Sequence, residues 1–170
     1  MSDDKQVTMH GNPLNLVGEA VAVGQAAPDA GLVNNDLAPV KISDYLGKVV
    51  VISVVPSLDT PVCDLQTRRF NSVAANLGGD VVILTISMDL PFAQKRWCGA
   101  AGADAVVTLS DHREAAFGLA YGLLIKELRL LARAVLVLDR EGKITYIQRV
   151  LELTNEPDYD EALAAVKDVV

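Results

Sequence analysis

The stretch that decides the fold is Val49-Val-Val-Ile-Ser-Val-Val55, followed at once by Pro56-Ser-Leu-Asp-Thr-Pro-Val-Cys63. An apolar, β-branched run of this length predicts a central strand that is covered on both faces. The next segment, residues 63–77, has apolar side chains at helical spacing and ends at Gly78-Gly79, which is a typical helix stop. A buried strand that leads through a short loop into a helix predicts an α/β protein.

The same alternation continues on either side of this stretch. The later segments are a strand over 80–87, a helix over 91–100, a strand over 105–109, a helix over 113–121, a β-hairpin formed by 134–138 and 144–150, and a closing helix over 158–169. Turn residues Gly11-Asn12-Pro13 and Gly18 predict an N-terminal hairpin within 7–23, followed by a loop. We therefore predict an α/β, thioredoxin-like fold: a mixed central sheet flanked by helices, with an N-terminal β-hairpin.

One segment leaves two interpretations open. Residues 121–132 are rich in leucine, and an apolar stretch of this kind forms either a helix or an apolar loop. Exposed leucines in this segment would indicate a subunit contact.

The composition narrows the classes of protein. A chain of 170 residues fits one domain, residues 1–170, and its 22 acidic residues outnumber 15 dispersed basic ones. This balance argues against a nucleic-acid partner. No apolar stretch approaches the roughly 18 residues that a membrane span needs, and the polar start lacks the apolar region of a signal peptide. We expect a soluble, cytoplasmic protein with no membrane partner.

The two cysteines, Cys63 and Cys98, are too far apart for a CxxC motif and fit no zinc-ligand spacing, while His10 and His112 stand alone. We therefore expect no metal and no other cofactor. In a reducing compartment, such cysteines are more often catalytic, redox-active or inert than part of a structural disulfide.

Cys63 is predicted to lie in the first turn of the helix that follows the central strand. Thr60 is a good N-cap and Pro61 suits the first helical position, which places Cys63 third in the helix. Backbone N–H groups and the positive end of the helix dipole favour a thiolate there. The Thr60 hydroxyl is expected to accept a backbone N–H and to donate its proton to the sulfur. The alternative is an inert, buried thiol.

Two further residues are candidates for chemistry. Cys98 could simply pack at a helix end, but a second cysteine that reaches an oxidised Cys63 would trap its sulfenic acid as a disulfide. Gly99 and Gly102 would let that helix end unwind. Arg133 lies within an apolar context, so it either points to solvent or lies buried beside a counter-ion, for which a thiolate is suitable.

The motifs around these residues resemble those of the peroxiredoxins. The pattern Pro-x-x-x-Thr-x-x-Cys is met by Pro56, Thr60 and Cys63. Within that superfamily the chain is similar to the bacterial thiol peroxidases of the atypical two-cysteine kind. This similarity rests on Ser53–Asn71, on Ser87–Cys98 and on Leu131-Ala-Arg-Ala-Val135. It extends from Gly11-Asn-Pro13 to Glu156-Pro-Asp-Tyr159 and so covers nearly the whole chain.

The resemblance implies a set of roles. Cys63 would be the peroxidatic cysteine, and Cys98 the resolving cysteine of the same subunit. Thr60 and Arg133 would polarise the peroxide, and Pro56 would shield the thiolate from water. Substrates would be hydrogen peroxide and alkyl hydroperoxides, with thioredoxin as the reductant, a homodimer as the assembly and antioxidant defence as the role.

Two rival functions use similar chemistry. A thiol-disulfide oxidoreductase shares the fold and a cysteine at a helix start, but it normally has both cysteines in one turn. A non-enzymatic redox sensor would share the first oxidation step with a peroxidase. Turnover with a reductant separates a catalyst from a sensor.

Overall fold

The structure is a computed structural model that describes residues 5–170, except for the side chain of Ala75. The strands are β1 (Gln6–Met9), β2 (Asn12–Val17), β3 (Gly31–Val33), β4 (Pro39–Lys41), β5 (Val49–Val54), β6 (Val81–Ser87), β7 (Val107–Ser110), β8 (Leu124–Ile125), β9 (Leu130–Leu131), β10 (Ala134–Leu138) and β11 (Ile144–Arg149). The helices are α1 (Pro61–Leu77), α2 (Pro91–Ala101), α3 (Ala116–Tyr121) and α4 (Tyr159–Val169).

A seven-stranded mixed sheet forms the centre of the molecule, with the strand order β11-β10-β5-β6-β7-β3-β4. Strands β5, β6 and β7 are parallel, and the remaining neighbours are antiparallel. A smaller sheet, β1-β2-β8-β9, joins the N-terminal hairpin to a hairpin formed by β8 and β9. The predicted mixed sheet and N-terminal hairpin are therefore confirmed.

The two faces of the central sheet pack against different elements. Because side chains alternate along a strand, Val50 and Ile52 of β5 join a core with Phe117 of α3, while Val51 joins one with Phe70 of α1. All six residues of β5 are buried. Burial on both faces explains the run from which the fold was predicted, which is apolar except for Ser53.

Both interpretations of the leucine-rich segment 121–132 were wrong, because it forms neither a helix nor a loop but a β-hairpin. Helix α3 ends at Tyr121, and β8 and β9 then pair as a short antiparallel hairpin that adds to the N-terminal one. Leu124 and Leu131 are fully buried, whereas Leu128 at the turn is exposed. The expected loop before β5 also contains strands β3 and β4.

Some predicted boundaries were too wide. The N-terminal hairpin occupies only residues 6–17, and α3 begins at Ala116 rather than at residue 113. Within residues 5–170 no helix is both long and apolar enough to cross a membrane.

Candidate active site

Cys63 lies in the first turn of α1, at the end of the loop that leaves the central strand β5. Thr60 is the N-cap residue with an extended backbone, and Pro61 is the first helical residue. The Cys63 side chain is fully buried, in a small apolar cluster with Val55, Leu58 and Trp97. The predicted position of Cys63 at a helix start is confirmed, and its sulfur is shielded from bulk water.

The predicted contacts of the Thr60 hydroxyl are wrong. This hydroxyl donates to the carbonyl oxygen of Ser57 at 2.7 Å, and no side chain caps the helix start. The loop turns back on itself, so the nearest acceptor for Thr60 is a carbonyl three residues earlier. Its proton is therefore used within the loop, and its oxygen is left as an acceptor. Pro56 is buried at the start of this loop.

Arg133 is buried and points at Cys63. It precedes β10, which pairs with β5, and the residue as a whole is only 2% exposed. Its Nη2 lies 3.4 Å from the Cys63 Sγ, and Nη1 donates to Gln66 Oε1 at 3.0 Å. Nε and Nη2 donate to the Leu153 carbonyl oxygen at 3.1 and 2.8 Å. The guanidinium is thus fixed along two edges, with one donor left on the sulfur.

Gln66 was missed by the sequence reasoning. It is fully buried one turn after Cys63, and its Nε2 donates to the Ser53 hydroxyl at 2.8 Å. Its spacing of three residues from Cys63 places both side chains on one face of α1, which is the signal that could have identified it. The Leu153 carbonyl offers no such signal, because a backbone acceptor is independent of residue type.

Cys98 lies apart from this cluster on α2 and is half-buried. Its Sγ is 3.6 Å from the Thr108 hydroxyl of β7, which in turn donates to Asn35 Oδ1 at 2.9 Å. Burial raises the pKa of the Cys98 thiol, and the contact with Thr108 offsets part of that effect. Cys63 and Cys98 are both free thiols. The structure therefore brings Arg133 to Cys63 but directs Cys98 toward β7.

Helices α1 and α2 nevertheless contact each other through residues adjacent to both cysteines. Asp64 accepts a hydrogen bond from Trp97 Nε1 at 2.9 Å and pairs with Arg68 Nε at 2.8 Å. The Arg68 guanidinium also lies over the Trp97 ring, 5.6 Å from its centroid. Since Trp97 precedes Cys98 and Asp64 follows Cys63, these contacts hold the two cysteine-bearing turns side by side.

Comparison with known proteins identifies the family to which this chain belongs. Residues 22–163 match the Redoxin family. The thiol peroxidase of Bacillus subtilis (strain 168) is 56% identical over 165 residues, which is 97% of this chain and 98% of that protein. The thiol peroxidase of Halalkalibacterium halodurans is 56% identical over 95% of this chain and 96% of its own length.

A crystal structure of a peroxiredoxin-like protein from Aquifex aeolicus has a TM-score of 0.91 to this structure at 43% identity and covers 98% of both chains. The thioredoxin-like peroxiredoxin fold is thereby confirmed. The chain belongs to the Redoxin family, among the thiol peroxidases, which are peroxiredoxin-type enzymes that reduce peroxides with a thiol.

Proposed function

We propose that Cys63 is the peroxidatic cysteine of this enzyme and that Cys98 resolves it within the same chain. The observation that supports the first assignment is the environment of Arg133. Among residues 5–170, no aspartate or glutamate forms an ion pair with its buried guanidinium. A buried cation without a carboxylate partner is costly, so a thiolate at Cys63, 3.4 Å away, provides the counter-charge.

In the first step the Cys63 thiolate attacks one oxygen of the hydroperoxide. The S–O bond forms as the O–O bond breaks, and the leaving oxygen departs with the bonding electrons. It takes up a proton and leaves as water from hydrogen peroxide or as an alcohol from an alkyl hydroperoxide. Cys63 becomes a sulfenic acid. The Arg133 Nη2 donor, which already lies at the sulfur, stabilises the developing charge without reorganisation.

Thr60 and Pro56 have supporting roles in this proposal. Because the Thr60 proton is given to Ser57, its oxygen can accept a hydrogen bond from the hydroperoxide O–H and orient the substrate. Pro56 has no N–H and is buried beside the loop, so it helps to exclude water from the sulfur.

In the second step the Cys98 thiolate attacks the sulfur of the sulfenic acid, and the hydroxyl group leaves as water after it takes up a proton. An intramolecular disulfide results. Formation of this bond requires the two Cα atoms to come within roughly 7 Å. Because Cys98 now contacts Thr108, the end of α2 must leave β7 first. Gly102, which ends α2 in the left-handed conformation, is a natural point for unwinding.

The oxidised enzyme needs a dithiol reductant, and we propose thioredoxin for this role. We further propose a homodimer in the cytoplasm, where such reductants operate, and a role in antioxidant defence. The exposed Leu128 at the β8–β9 turn fits the expected subunit contact. No metal or other cofactor takes part in either step.

The test is steady-state peroxide consumption in the presence of thioredoxin, thioredoxin reductase and NADPH. We expect continuous turnover by the wild type and none by Cys63→Ser. Cys98→Ser should react once with peroxide and then stall with this reductant. A wild-type protein that also reacts once and stalls would be a sensor and would refute the proposed catalysis.

A further inference from the structure

The N-terminal hairpin contacts the segment that holds Arg133. Strands β1 and β2 lie outside the matched Redoxin region, which begins at residue 22. Their two-residue turn, His10-Gly11, has positive φ angles of 52° and 81°, as a tight hairpin turn requires. The N–H groups of both turn residues donate to the carboxylate of Glu152, at 3.3 and 2.9 Å.

Glu152 accepts further hydrogen bonds from both sides. The Thr8 hydroxyl of β1 donates to it at 3.0 Å, and the N–H and hydroxyl of Thr154 donate at 3.0 and 2.7 Å. The backbone adds to this attachment, because the Thr8 N–H donates to the Leu151 carbonyl and the Leu153 N–H donates to the Thr8 carbonyl. Leu151, Glu152 and Leu153 are therefore each bonded to Thr8 of β1.

Leu153, at the middle of this segment, presents its carbonyl to Arg133. It accepts from Nε and from Nη2, and Nη2 is the atom that also reaches the Cys63 sulfur. A guanidinium is planar, so a carbonyl oxygen that accepts from two of its nitrogens fixes the orientation of the plane. The contact between Nη2 and the Cys63 sulfur lies in that plane. The position of Leu153 thus determines where the Nη2 donor points.

We propose that Glu152 is a positioning residue for peroxide reduction, and that the N-terminal hairpin acts through Glu152 and the Leu153 carbonyl to aim Arg133 at Cys63. This proposal rests on the proposed role of Cys63. Glu152 itself does not touch the sulfur or the substrate.

The charge of Glu152 fits this role. Hydrogen bonds from Thr154, Gly11 and Thr8 lower its pKa to about 2. The carboxylate therefore stays ionised, and its bonds to the hairpin stay in place, throughout the neutral pH range.

The experiment measures the second-order rate constant for oxidation of Cys63 by hydrogen peroxide, in a Cys98→Ser background that isolates the first step. Glu152→Ala should lower this constant by about tenfold, because a small displacement of a catalytic donor has a large effect on rate. Glu152→Gln keeps one acceptor oxygen, so its rate constant should lie between those of the parent and of Glu152→Ala.

A matched control is available in a residue that holds the same hairpin from the β8–β9 turn. Glu127 accepts from the backbone N–H of Asn15 at 3.0 Å and from its side-chain amide at 2.7 Å, and so attaches β2 to the β8–β9 turn. Its hydrogen bonds go to Asn15 and not to residues 151–154. Glu127→Ala should leave the rate constant unchanged, although it removes a comparable attachment of the hairpin.

A double-mutant cycle separates positioning from general destabilisation. In an Arg133→Met background, Glu152→Ala should cause no further loss of rate, since the residue through which it acts is absent. The inference is overturned if Cys63 is oxidised as fast in Glu152→Ala as in its parent. It is also overturned if Glu152→Ala lowers the rate constant by the same factor with Arg133 and with Met at that position. If peroxide fails to oxidise Cys63 in the parent, the proposed function itself fails.

Discussion

Arg133 is the residue on which the proposed chemistry depends most, because it supplies the only guanidinium contact to Cys63 among residues 5–170. Arg133→Met keeps much of the volume but removes the charge and all four hydrogen bonds of the group. We expect the rate constant for oxidation of Cys63 by peroxide to fall by about 100-fold, the usual effect of losing one preorganised donor.

The matched control is Arg140→Met, which removes an exposed arginine whose Asp80 contact is 3.8 Å long. It should oxidise at the wild-type rate. Circular dichroism checks that both variants are folded. An Arg133→Met protein that is folded and reacts as fast as the wild type would show that the arginine has no part in the first step.

Cys98 predicts a pH dependence for the second step. Burial raises the pKa of its thiol, so only a minor fraction is thiolate at neutral pH, and that fraction grows as the pH increases. The rate of disulfide formation after oxidation of Cys63 should therefore rise with pH above neutrality. Rapid quenching followed by mass spectrometry measures this rate. A pH-independent rate would mean that the Cys98 thiol ionises only after it has left its site beside Thr108.

Single residues of the site were predictable only where chemistry alone identified them. Cys63 follows from the helix-start pattern, and Arg133 from a charge in an apolar run. The direction of the Thr60 hydroxyl was predicted wrongly, because a hydroxyl bonds to whichever acceptor the folded loop supplies. Gln66 could have been identified from its spacing to Cys63, but its contact with Arg133, and that of the Leu153 carbonyl, become visible only in the folded structure.

At the scale of elements, α2 must combine stability with the ability to release Cys98. Gly99 lies within this helix, is exposed, and has nothing within 4 Å of the position that a Cβ would occupy. Gly99→Ala should therefore stabilise α2 by up to about 1 kcal/mol. If α2 must unwind before the disulfide forms, the second step should slow by about fivefold while the first step stays unchanged.

This effect has a visible consequence. Slower resolution leaves the sulfenic acid of Cys63 exposed to more peroxide, so the variant should accumulate more sulfinic acid. Mass spectrometry after treatment with excess peroxide measures that product. A variant that resolves as fast as the wild type, while its helix is more stable, would refute the unwinding step.

Long helices and strands were predicted well from the sequence, and very short strands were not. Strands β5 and β6 and helices α1 and α4 were predicted within two residues, because each carries a long run of one periodicity. The two- and three-residue strands were missed, since so short a stretch has no measurable period. The β8–β9 hairpin is rich in leucine because Leu124 and Leu131 pack in the core against α3. That packing depends on strands distant in the sequence, so the local sequence does not reveal it.

At the scale of the whole molecule, Asp111 links stability to pH. Burial raises its pKa from 3.8 to about 6, although its carboxylate accepts hydrogen bonds from the N–H groups of Phe117 and Gly118. Since the folded protein prefers the protonated form, this group contributes most stability below about pH 4, and the contribution is lost as the pH rises through about 6.

Asp111→Asn removes this titration. The free energy of unfolding of the wild type, relative to the variant, should fall by about 2 kcal/mol between about pH 4 and pH 7. Urea denaturation at several pH values measures the difference. If the difference is constant over that range, the Asp111 carboxyl titrates normally.

The central claim is that peroxide oxidises Cys63 and that Cys98 of the same chain then resolves it. Its most direct test is the intact mass and peptide map of the reduced protein after one equivalent of hydrogen peroxide, under non-reducing conditions. We expect a monomer lighter by two hydrogen atoms with a Cys63–Cys98 disulfide, and a Cys98→Ser variant with one oxygen atom on Cys63. Two free thiols after the treatment, or oxidation of Cys98 alone, would contradict it.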